Sequence, residues 1–371
     1  MRILVVHPGP NFAVADVFAG YVEALRKLGQ AVAVYDLGQR ISFYSRALVE
    51  MDEPGPGGKW AEPRMTGVDG AHPEPERAKP VRVRKALTYD EALQLAANGV
   101  LSTCYQAWPD VVLSISSFFM DPRMLDVMRV RKTKVVLLHT ESPYQDPEQL
   151  QRSAHADLTF LNDPQNIEKF RELGPVEYLP QAYRPHVHKP GPSLPKLECD
   201  FAFVGTAFES RVKFFEAMQF GDLDVLLGGN WGLIEKRESP LHKYLAHDIS
   251  ECLDNEQTVD VYRSAKMGIN FYRREMHWDD KTSTAQGWAM GPREIEMAAV
   301  GLPFLRDPRG EGDEVLSMEP TFDTPEDASE KLRWWVDHPR ERERVSAQAR
   351  EAIKDRTFEN NTKKILRMLD A

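Results

Sequence analysis

The sequence predicts an α/β fold built from two domains, each with a parallel sheet, that face each other across a cleft. Short β-branched runs alternate with amphipathic helical stretches in both halves of the chain, and a proline-rich segment separates the halves. A length of 371 residues is long for one hydrophobic core and suits two. Because ligands of such sheets bind beyond the carboxyl ends of the strands, we expect the functional site in the cleft.

The first domain is predicted to span residues 1–180. Its strands are expected at residues 3–6, 31–35, 111–115, 134–138 and 158–161. Apolar residues between positions 14 and 28 follow the period of an amphipathic helix, which makes the opening a strand–helix–strand unit of a parallel sheet. Thr88 and Glu91 have the spacing of a capping box and predict the start of another helix.

The regular pattern fails between residues 38 and 87, where proline and glycine are frequent. This composition predicts an insertion, with residues 54–75 forming a surface loop or lid rather than core. A second proline-rich stretch, residues 181–196, predicts a stiff linker between the two domains.

The second domain is predicted to span residues 197–345. Its strands are expected at residues 201–204, 223–227, 268–271 and 302–305. Helices are expected near residues 210–219 and from Pro292. Residues 346–371 are polar and charged, and we expect them to form terminal helices that return to the first domain.

Composition narrows the class of protein. The formal net charge of −10 argues mildly against a broad nucleic-acid footprint, since such binders usually carry basic patches. The three cysteines show no disulfide or zinc spacing, which favours a reducing compartment, and we expect a cytoplasmic protein. We expect no signal peptide, because the apolar run at the start is too short for one, and no membrane-spanning helix, because no apolar run reaches about eighteen residues.

The most informative segment is the predicted helix that begins at Pro292. Proline suits the first helical position, because its missing N–H would be unpaired there in any case. Glu294 and Glu296 lie in the first turns, where the helix dipole favours negative charge, and dipole compensation alone would explain Glu294. Residues 296–303 read Glu-Met-Ala-Ala-Val-Gly-Leu-Pro.

This octapeptide resembles the glutamate and Gly-x-Pro signature that closes the donor site of many GT-B glycosyltransferases. Together with the preceding Pro292-Arg293 and with residues 201–213, it most resembles the spore-maturation CgeB-like glycosyltransferases, over roughly residues 197 to 371. The resemblance implies two Rossmann-like domains, with Glu296 bonding the ribose hydroxyls of a nucleotide sugar. Trp288 departs from the pattern, because many retaining members carry a glutamate at that position, so the stereochemical outcome is not readable.

A candidate diphosphate site follows the predicted strand 201–204. Gly205 and Thr206 end the strand, and a helix with Arg211 and Lys213 comes next, so that free N–H groups and positive charge are combined. The alternative is that both cations are solvated helix residues. The resemblance favours Arg211 as the group that stabilises the leaving diphosphate.

Other candidates for donor binding lie at the same predicted edge of the second sheet. Asn230 and Trp231 follow two glycines after a strand, so Trp231 either stacks on a base or sugar or packs in the core below a tight turn. Tyr272 follows the strand 268–271, and Arg293 lies at the start of the helix that carries Glu296.

The first domain offers candidates for the acceptor side. Gly9 lies at the turn after the first strand and would permit a close backbone approach to the donor phosphates. His139 and Glu141 follow the strand 134–138 and are candidates for a general base or for positioning the acceptor hydroxyl, with a histidine that caps its own loop as the alternative. His7 and Asp16 are lesser candidates.

We expect neither a metal nor a bound cofactor. The cluster at residues 277–280, His-Trp-Asp-Asp, is a poor ligand set because adjacent residues seldom converge on one ion. The nucleoside-diphosphate sugar is expected as a substrate, with uridine as the common base in this architecture.

The predicted activity is transfer of a hexosyl or pentosyl group from this donor to an acceptor hydroxyl. A nucleotide-sugar epimerase of the same fold and a non-catalytic nucleotide-sugar binding protein are the alternatives. The acceptor, whether protein, glycan, small molecule or modified nucleobase, is not readable from the sequence, and neither is the oligomeric state.

Overall fold

The computed structural model describes residues 1–9, 15–47, 87–129, 132–249, 251–276 and 284–370. Most of the predicted insertion, including residues 54–75, and the cluster at 277–280 lie outside these ranges. None of the described helices is both long enough and apolar enough to cross a lipid bilayer.

Within the described ranges, the N-terminal unit, by which we mean the first sheet and its helices, contains six parallel strands. They are β1 (Arg2–Val6), β2 (Ala31–Tyr35), β3 (Val111–Ile115), β4 (Lys134–His139), β5 (Leu158–Leu161) and β6 (Val176–Tyr178). Its helices are α1 (Ala15–Lys27), α2 (Leu37–Ala47), α3 (Tyr89–Ala107), α4 (Pro122–Arg129), α5 (Asp146–Ser153) and α6 (Ile167–Arg171). The strand order β2-β1-β3-β4-β5-β6 is that of a doubly wound sheet, whose two faces are covered by helices.

Among the residues that the structure describes, the C-terminal unit contains four parallel strands in the order β10-β9-β7-β8. They are β7 (Cys199–Val204), β8 (Val225–Gly228), β9 (Ala265–Asn270) and β10 (Phe304–Arg306). The helices that follow the linker are α7 (Glu209–Ala217), α8 (Asn255–Ser264), α9 (Pro292–Val300), α10 (Gly310–Val315), α11 (Pro325–Asp337), α12 (Pro339–Ile353) and α13 (Phe358–Asp370).

Two local features of the N-terminal unit bear on the sequence predictions. The capping box is confirmed: the Thr88 hydroxyl accepts from the Glu91 amide at 3.2 Å, and the Glu91 carboxylate accepts from the Thr88 amide at 2.7 Å. The prediction of irregular chain from residue 38 is wrong for its first part, because α2 is helical there. Asp36 caps α2 by accepting from the Gln39 amide at 2.9 Å.

The chain crosses between the two units twice. The linker and the segment after α12 run side by side, joined by a bridge between Tyr183 and Thr357. α13 packs on α1, where Phe358 lies against Tyr21 with 5.1 Å between the ring centroids. The predicted return of all residues from 346 is wrong for α12, because Ala349 and Ile353 belong to the core of the C-terminal unit. The remaining domain boundaries stay predictions.

Candidate functional site

The carboxyl ends of the strands in the C-terminal unit meet the N-terminus of α9, and three arginines come together there. Arg211 lies in α7, Arg273 follows β9, and Arg293 lies in the first turn of α9. The guanidinium carbons of Arg211 and Arg273 lie 5.4 and 5.2 Å from the centroid of the same Phe208 ring, and the positive charges of Arg273 and Arg293 each act to lower the pKa of Arg211. We call these three residues the arginine cluster.

Arg211 is held by backbone carbonyls. Its Nε donates to the Phe271 carbonyl at 2.9 Å, and its Nη1 donates to the Thr206 carbonyl at 2.9 Å. Burial, with the neighbouring arginines, lowers the pKa of Arg211 to about 10, so the side chain remains a cation near neutral pH. Both of these acceptors are neutral, and the Glu275 carboxylate, which acts to raise the pKa of Arg211, makes no hydrogen bond to it in the described part of the chain.

Arg273 joins the two units. Its Nη2 donates to Glu141 Oε2 at 2.5 Å, and Glu141 lies just beyond the carboxyl end of β4 in the N-terminal unit. The guanidinium carbon lies 4.4 Å from the ring centroid of Tyr144 and 5.2 Å from that of Phe208. An ion pair and two cation–π contacts thus fix Arg273 in the cleft.

Arg293 and Glu296 form an ion pair within α9, with 2.6 Å between Nη1 and Oε2. Although burial acts to lower it, the pKa of Arg293 is raised by the Glu296 carboxylate and by the Tyr262 hydroxyl. Glu296 is only 5% exposed. The pair places a carboxylate immediately beside the arginine cluster.

Glu296 also faces the N-terminal unit. Ligand atoms of Asp16, His188 and Glu296 lie within 4.8 Å of one another, and all three residues are buried. Burial and then the Glu296 carboxylate raise the pKa of Asp16, while its ion pair with Arg184 acts in the opposite direction. Asp16, which the sequence suggested only as a lesser candidate, is therefore a direct neighbour of Glu296.

These three ligand types would suit a transition metal, but the surrounding charges do not. Asp16 is already paired with Arg184, and Glu296 is paired with Arg293. A cation bound between the two carboxylates would lie next to two guanidinium groups and lose much of its electrostatic stabilisation. We therefore interpret the cluster as an ion-pair network between the two units.

The turns after β7 and β8 bring two backbones into contact. Gly229 has a φ of 98°, which favours glycine, and a Cβ at this position would lie 2.5 Å from the Gly205 carbonyl oxygen. A Cβ on Gly205 would lie 2.8 Å from the Phe203 ring. Gly229 is therefore required for the close approach of the two loops, and the assignment of Gly205 to a diphosphate site stays a prediction.

Trp231 is placed in the core rather than in the cleft. Its side chain is 0% exposed, its ring lies 6.0 Å from those of Phe203 and Phe215, and its Nε1 donates to the Gly228 carbonyl at 3.1 Å. Of the two interpretations of this tryptophan, the structure supports the core residue below a tight turn.

His139 is also buried, which corrects its assignment as a general base. It is the last residue of β4, it is 0% exposed, and its Nε2 lies 2.9 Å from Ser153 Oγ of α5. Burial, with a smaller effect from Arg152, lowers the pKa of His139 to about 3. An imidazole that is enclosed and neutral at physiological pH has no route to an acceptor hydroxyl.

Tyr272 and Asn230 support the site rather than line it. The Tyr272 hydroxyl bonds the Glu294 carboxylate and accepts from the Gly291 amide at 2.9 Å, which braces the start of α9. The Asn230 side-chain oxygen accepts from the Gly232 amide at 2.9 Å and so closes its own turn.

Lys213 and Gly9 remain at the edge of the site. Lys213 is exposed, and two positions along a helix from Arg211 it does not share a face with that residue. Gly9 is buried at the end of β1 with a φ of 133°, and its amide donates to His7 Nδ1 at 3.1 Å.

Trp288 is bound to the N-terminal unit instead of contributing an acidic group. Its amide and that of Ala289 donate to one Asp163 carboxylate oxygen, at 2.8 and 2.9 Å. A cavity of about 540 Å³ opens beside Trp288 and shares no residue with the arginine cluster. It is lined by Pro164, Gln165, Gln286, Gly287, Trp288, Arg309 and Gly310.

Sequence reasoning missed the contacts that cross the cleft. Arg273 follows a predicted strand directly, which is the signal that places it at the ligand-facing edge. Its partner Glu141 is 132 positions away. Asp163 and Glu311 lie in no recognisable sequence motif. Their carboxylates nevertheless accept hydrogen bonds from the Trp288 and Met290 amides, in the segment that leads into α9.

A comparison with protein-family models finds a match in the C-terminal part of the chain. Residues 210–367 match a family described as glycosyl transferase-like, from the start of α7 into α13. This stretch contains Arg211, Arg273, Arg293 and Glu296. No curated protein matches the chain.

Solved structures resemble the chain over its whole length. A sucrose-phosphate synthase from Thermosynechococcus elongatus is 13% identical with a TM-score of 0.63, covering 100% of this chain and 98% of its own. An E. coli structure described as trehalose-6-phosphate bound with UDP-2-fluoro glucose is 11% identical with a TM-score of 0.60, covering 100% and 99%. A Listeria monocytogenes structure described as a UDP-N-acetylglucosamine 2-epimerase is 14% identical with a TM-score of 0.55, covering 99% and 94%. The predicted α/β fold of the GT-B kind is confirmed.

Proposed function

We propose that the protein is a glycosyltransferase that moves a sugar from a nucleoside-diphosphate sugar to an acceptor hydroxyl. The arginine cluster is the observation that carries this proposal, because three arginines beside a helix N-terminus, two of them in contact with the Phe208 ring, suit a diphosphate. The family match and the sugar-nucleotide structures among the neighbours support sugar transfer.

Sugar transfer from this donor requires a positively charged group beside the diphosphate that leaves. The bond between the anomeric carbon and the diphosphate oxygen breaks, and its electron pair remains on the diphosphate. The acceptor oxygen bonds to the anomeric carbon, and its proton passes to a base or to a phosphate oxygen. Arg211, oriented by the Phe271 and Thr206 carbonyls, would stabilise the negative charge that develops, a role that needs no metal here.

Finer assignments belong to the same proposal. Glu296 binds the ribose hydroxyls through its carboxylate, with Arg293 orienting it. The donor is a uridine-diphosphate sugar, the chain is close to the CgeB-like group, and it works in the cytoplasm. On the acceptor side, the carboxylate of Glu141 positions the acceptor hydroxyl or acts as the general base. His139 cannot do so because it is buried.

A thermal-shift screen should identify the donor nucleotide. A ligand present at about 100 times its Kd adds ~2.7 kcal/mol to the free energy of unfolding, and we expect one class of nucleoside diphosphate to raise Tm by several degrees. Nucleosides without phosphates should raise it far less, because they do not reach the arginine cluster. Equal shifts from nucleosides and diphosphates would remove the cluster from the site. Analysis of products then separates transfer from isomerisation of the donor.

Glu296→Gln should weaken binding of the nucleotide found in the screen by ~1–3 kcal/mol, the range for a lost hydrogen bond to a charged group. The variant loses a partner of Arg293 but also loses the repulsion between Glu296 and Asp16, so we expect little change in folding stability. Calorimetric titration and thermal unfolding measure the two effects.

Glu326→Gln is the matched control, because Glu326 is an exposed acidic residue in the first turn of α11. It should lose only a helix-dipole contact of about 0.3–1 kcal/mol. If Glu296→Gln behaved like this control, with nucleotide affinity unchanged, Glu296 would only compensate the helix dipole and would not bind the ribose hydroxyls.

A further inference from the structure

We propose that Glu141 and the donor diphosphate are alternative partners of Arg273, so that a bound diphosphate releases the Glu141 carboxylate to the acceptor side of the cleft. This inference rests on the proposed function, since it requires a diphosphate at the arginine cluster. It adds an exchange of anionic partners at Arg273 and a second role for the Glu141 carboxylate.

Glu141 lies across the cleft from the arginine cluster and is bound to it. Its carboxylate comes from the N-terminal unit and reaches across the cleft to Arg273 Nη2 at 2.5 Å. Arg273 lies beside Arg211, since both guanidinium groups lie over the Phe208 ring, and Arg211 donates hydrogen bonds to the neutral carbonyls of Phe271 and Thr206. Glu141 is therefore bound to a member of the same cationic cluster that the diphosphate needs.

Arg273 does not depend on Glu141 for its position. Its guanidinium lies between the rings of Tyr144 and Phe208, at 4.4 and 5.2 Å from their centroids. Tyr144 is fixed in turn, because its hydroxyl donates to the Arg273 carbonyl at 3.0 Å and accepts from Arg309 Nη2 at 2.5 Å. When Glu141 leaves, the guanidinium stays in place for another anion.

The Glu141 carboxylate and a diphosphate differ in how strongly they can bind the arginine cluster. A single carboxylate contacts one arginine, whereas a diphosphate carries more charge and can contact Arg211, Arg273 and Arg293 together. Glu141 is also penalised where it lies, because burial raises the pKa of its carboxyl and the charge of Arg273 offsets only part of this effect. The diphosphate is the stronger partner for the cluster.

After its release from Arg273, the Glu141 carboxylate remains at the carboxyl edge of the N-terminal sheet, just beyond β4. Glu141 follows Thr140, whose hydroxyl is 2.5 Å from that of Ser116 at the carboxyl end of β3. This edge of the N-terminal sheet faces the C-terminal unit, as the ion pair between Glu141 and Arg273 shows. Glu141 freed from Arg273 is thus placed to accept a hydrogen bond from the acceptor hydroxyl.

The test is a set of calorimetric titrations with inorganic pyrophosphate and with uridine diphosphate. Glu141→Gln and Glu141→Ala should bind both ligands about threefold to tenfold more tightly than the wild type, because a competing anion has been removed, a gain in line with a partly exposed ion pair. Arg273→Gln should bind both at least tenfold more weakly. In the double variant Glu141→Gln/Arg273→Gln the gain should disappear, which shows that it passes through Arg273.

Glu23→Gln is the matched control, since it removes the same charge from the N-terminal unit at an exposed ion pair with Arg184. It should leave both affinities unchanged. A gain in this control equal to that of Glu141→Gln would mean that net charge alone is responsible and would overturn the inference.

Each remaining outcome is decisive. If Arg273→Gln weakens binding but the Glu141 variants bind as the wild type does, the proposed function stands and the exchange is wrong. If Glu141→Gln binds more weakly, Glu141 assists the donor instead of competing with it, and the exchange is again wrong. If neither the wild type nor any variant binds any nucleoside diphosphate, the donor site and the exchange fall together.

Discussion

Replacing Arg211 with glutamine is expected to lower kcat by about 10²–10³-fold, the loss typical of removing one preorganised group that stabilises developing charge. Glutamine keeps a polar end but carries no charge and cannot repeat the bonds to the Phe271 and Thr206 carbonyls. KM for the donor should rise less than kcat falls, because the charge on the leaving diphosphate grows as the reaction proceeds. Steady-state kinetics with the donor found by the nucleotide screen measure the two effects.

Arg237→Gln provides the comparison for Arg211→Gln. Arg237 lies at the surface of the same unit and pairs with Glu209 of α7 at 3.1 Å, so its loss removes a cation without reaching the cleft. We expect near wild-type kinetics from it. An Arg211→Gln enzyme that folds, as judged by an unchanged circular dichroism spectrum, and keeps its kcat would show that Arg211 only supports the loops around it.

Trp231→Ala is expected to lower the free energy of unfolding by ~3–5 kcal/mol, the range for removing a large aromatic side chain from a core. The indole is fully buried against Phe203 and Phe215, and its N–H bonds the Gly228 carbonyl. Deletion leaves a cavity beneath the loops after β7 and β8 and removes one of the two hydrogen bonds that the Gly228 carbonyl accepts, the other coming from the Gly205 amide. Denaturant unfolding followed by intrinsic fluorescence and circular dichroism measures the change.

Trp334→Ala is the control for Trp231→Ala. Trp334 is 47% exposed and stacks on His338 at the surface. Its removal should cost no more than about 0.5 kcal/mol, as surface substitutions usually do. Similar unfolding free energies for the two alanine variants would mean that Trp231 is not the core residue the structure places.

The sequence predicted the carboxyl ends of the strands better than the direction of individual side chains. The alternation of strands and helices located Arg211, Glu296 and Glu141 at the edges of the two sheets that face each other. His139 was misjudged because β4 runs one residue further than its apolar pattern. Successive strand residues point to opposite faces, so a one-residue difference in length decides whether a side chain faces a helix or the cleft.

Partners that are far apart along the chain were beyond local reasoning. No periodicity connects Glu141 with Arg273, or Asp16 with Glu296, because each pair is joined only when the two units fold and dock. α2 was missed for a different reason: Gly38 and its polar neighbours obscured a helix that is anchored by Leu37 and Ile41. Its signal was Asp36, a residue type that favours the N-cap.

The packing of α13 on α1 has a consequence for how the protein is made. The core of the N-terminal unit includes Phe358, Ile365 and Leu369, which are synthesised after the C-terminal unit, although the final strand of its sheet ends at Tyr178. At ~5–20 residues per second, a ribosome needs about 10 to 40 s to pass from that strand to α13. During this interval the apolar face of α1 has emerged without its partner. We expect the N-terminal unit to complete its folding only once α13 has emerged from the ribosome, later than the C-terminal unit that is made before α13.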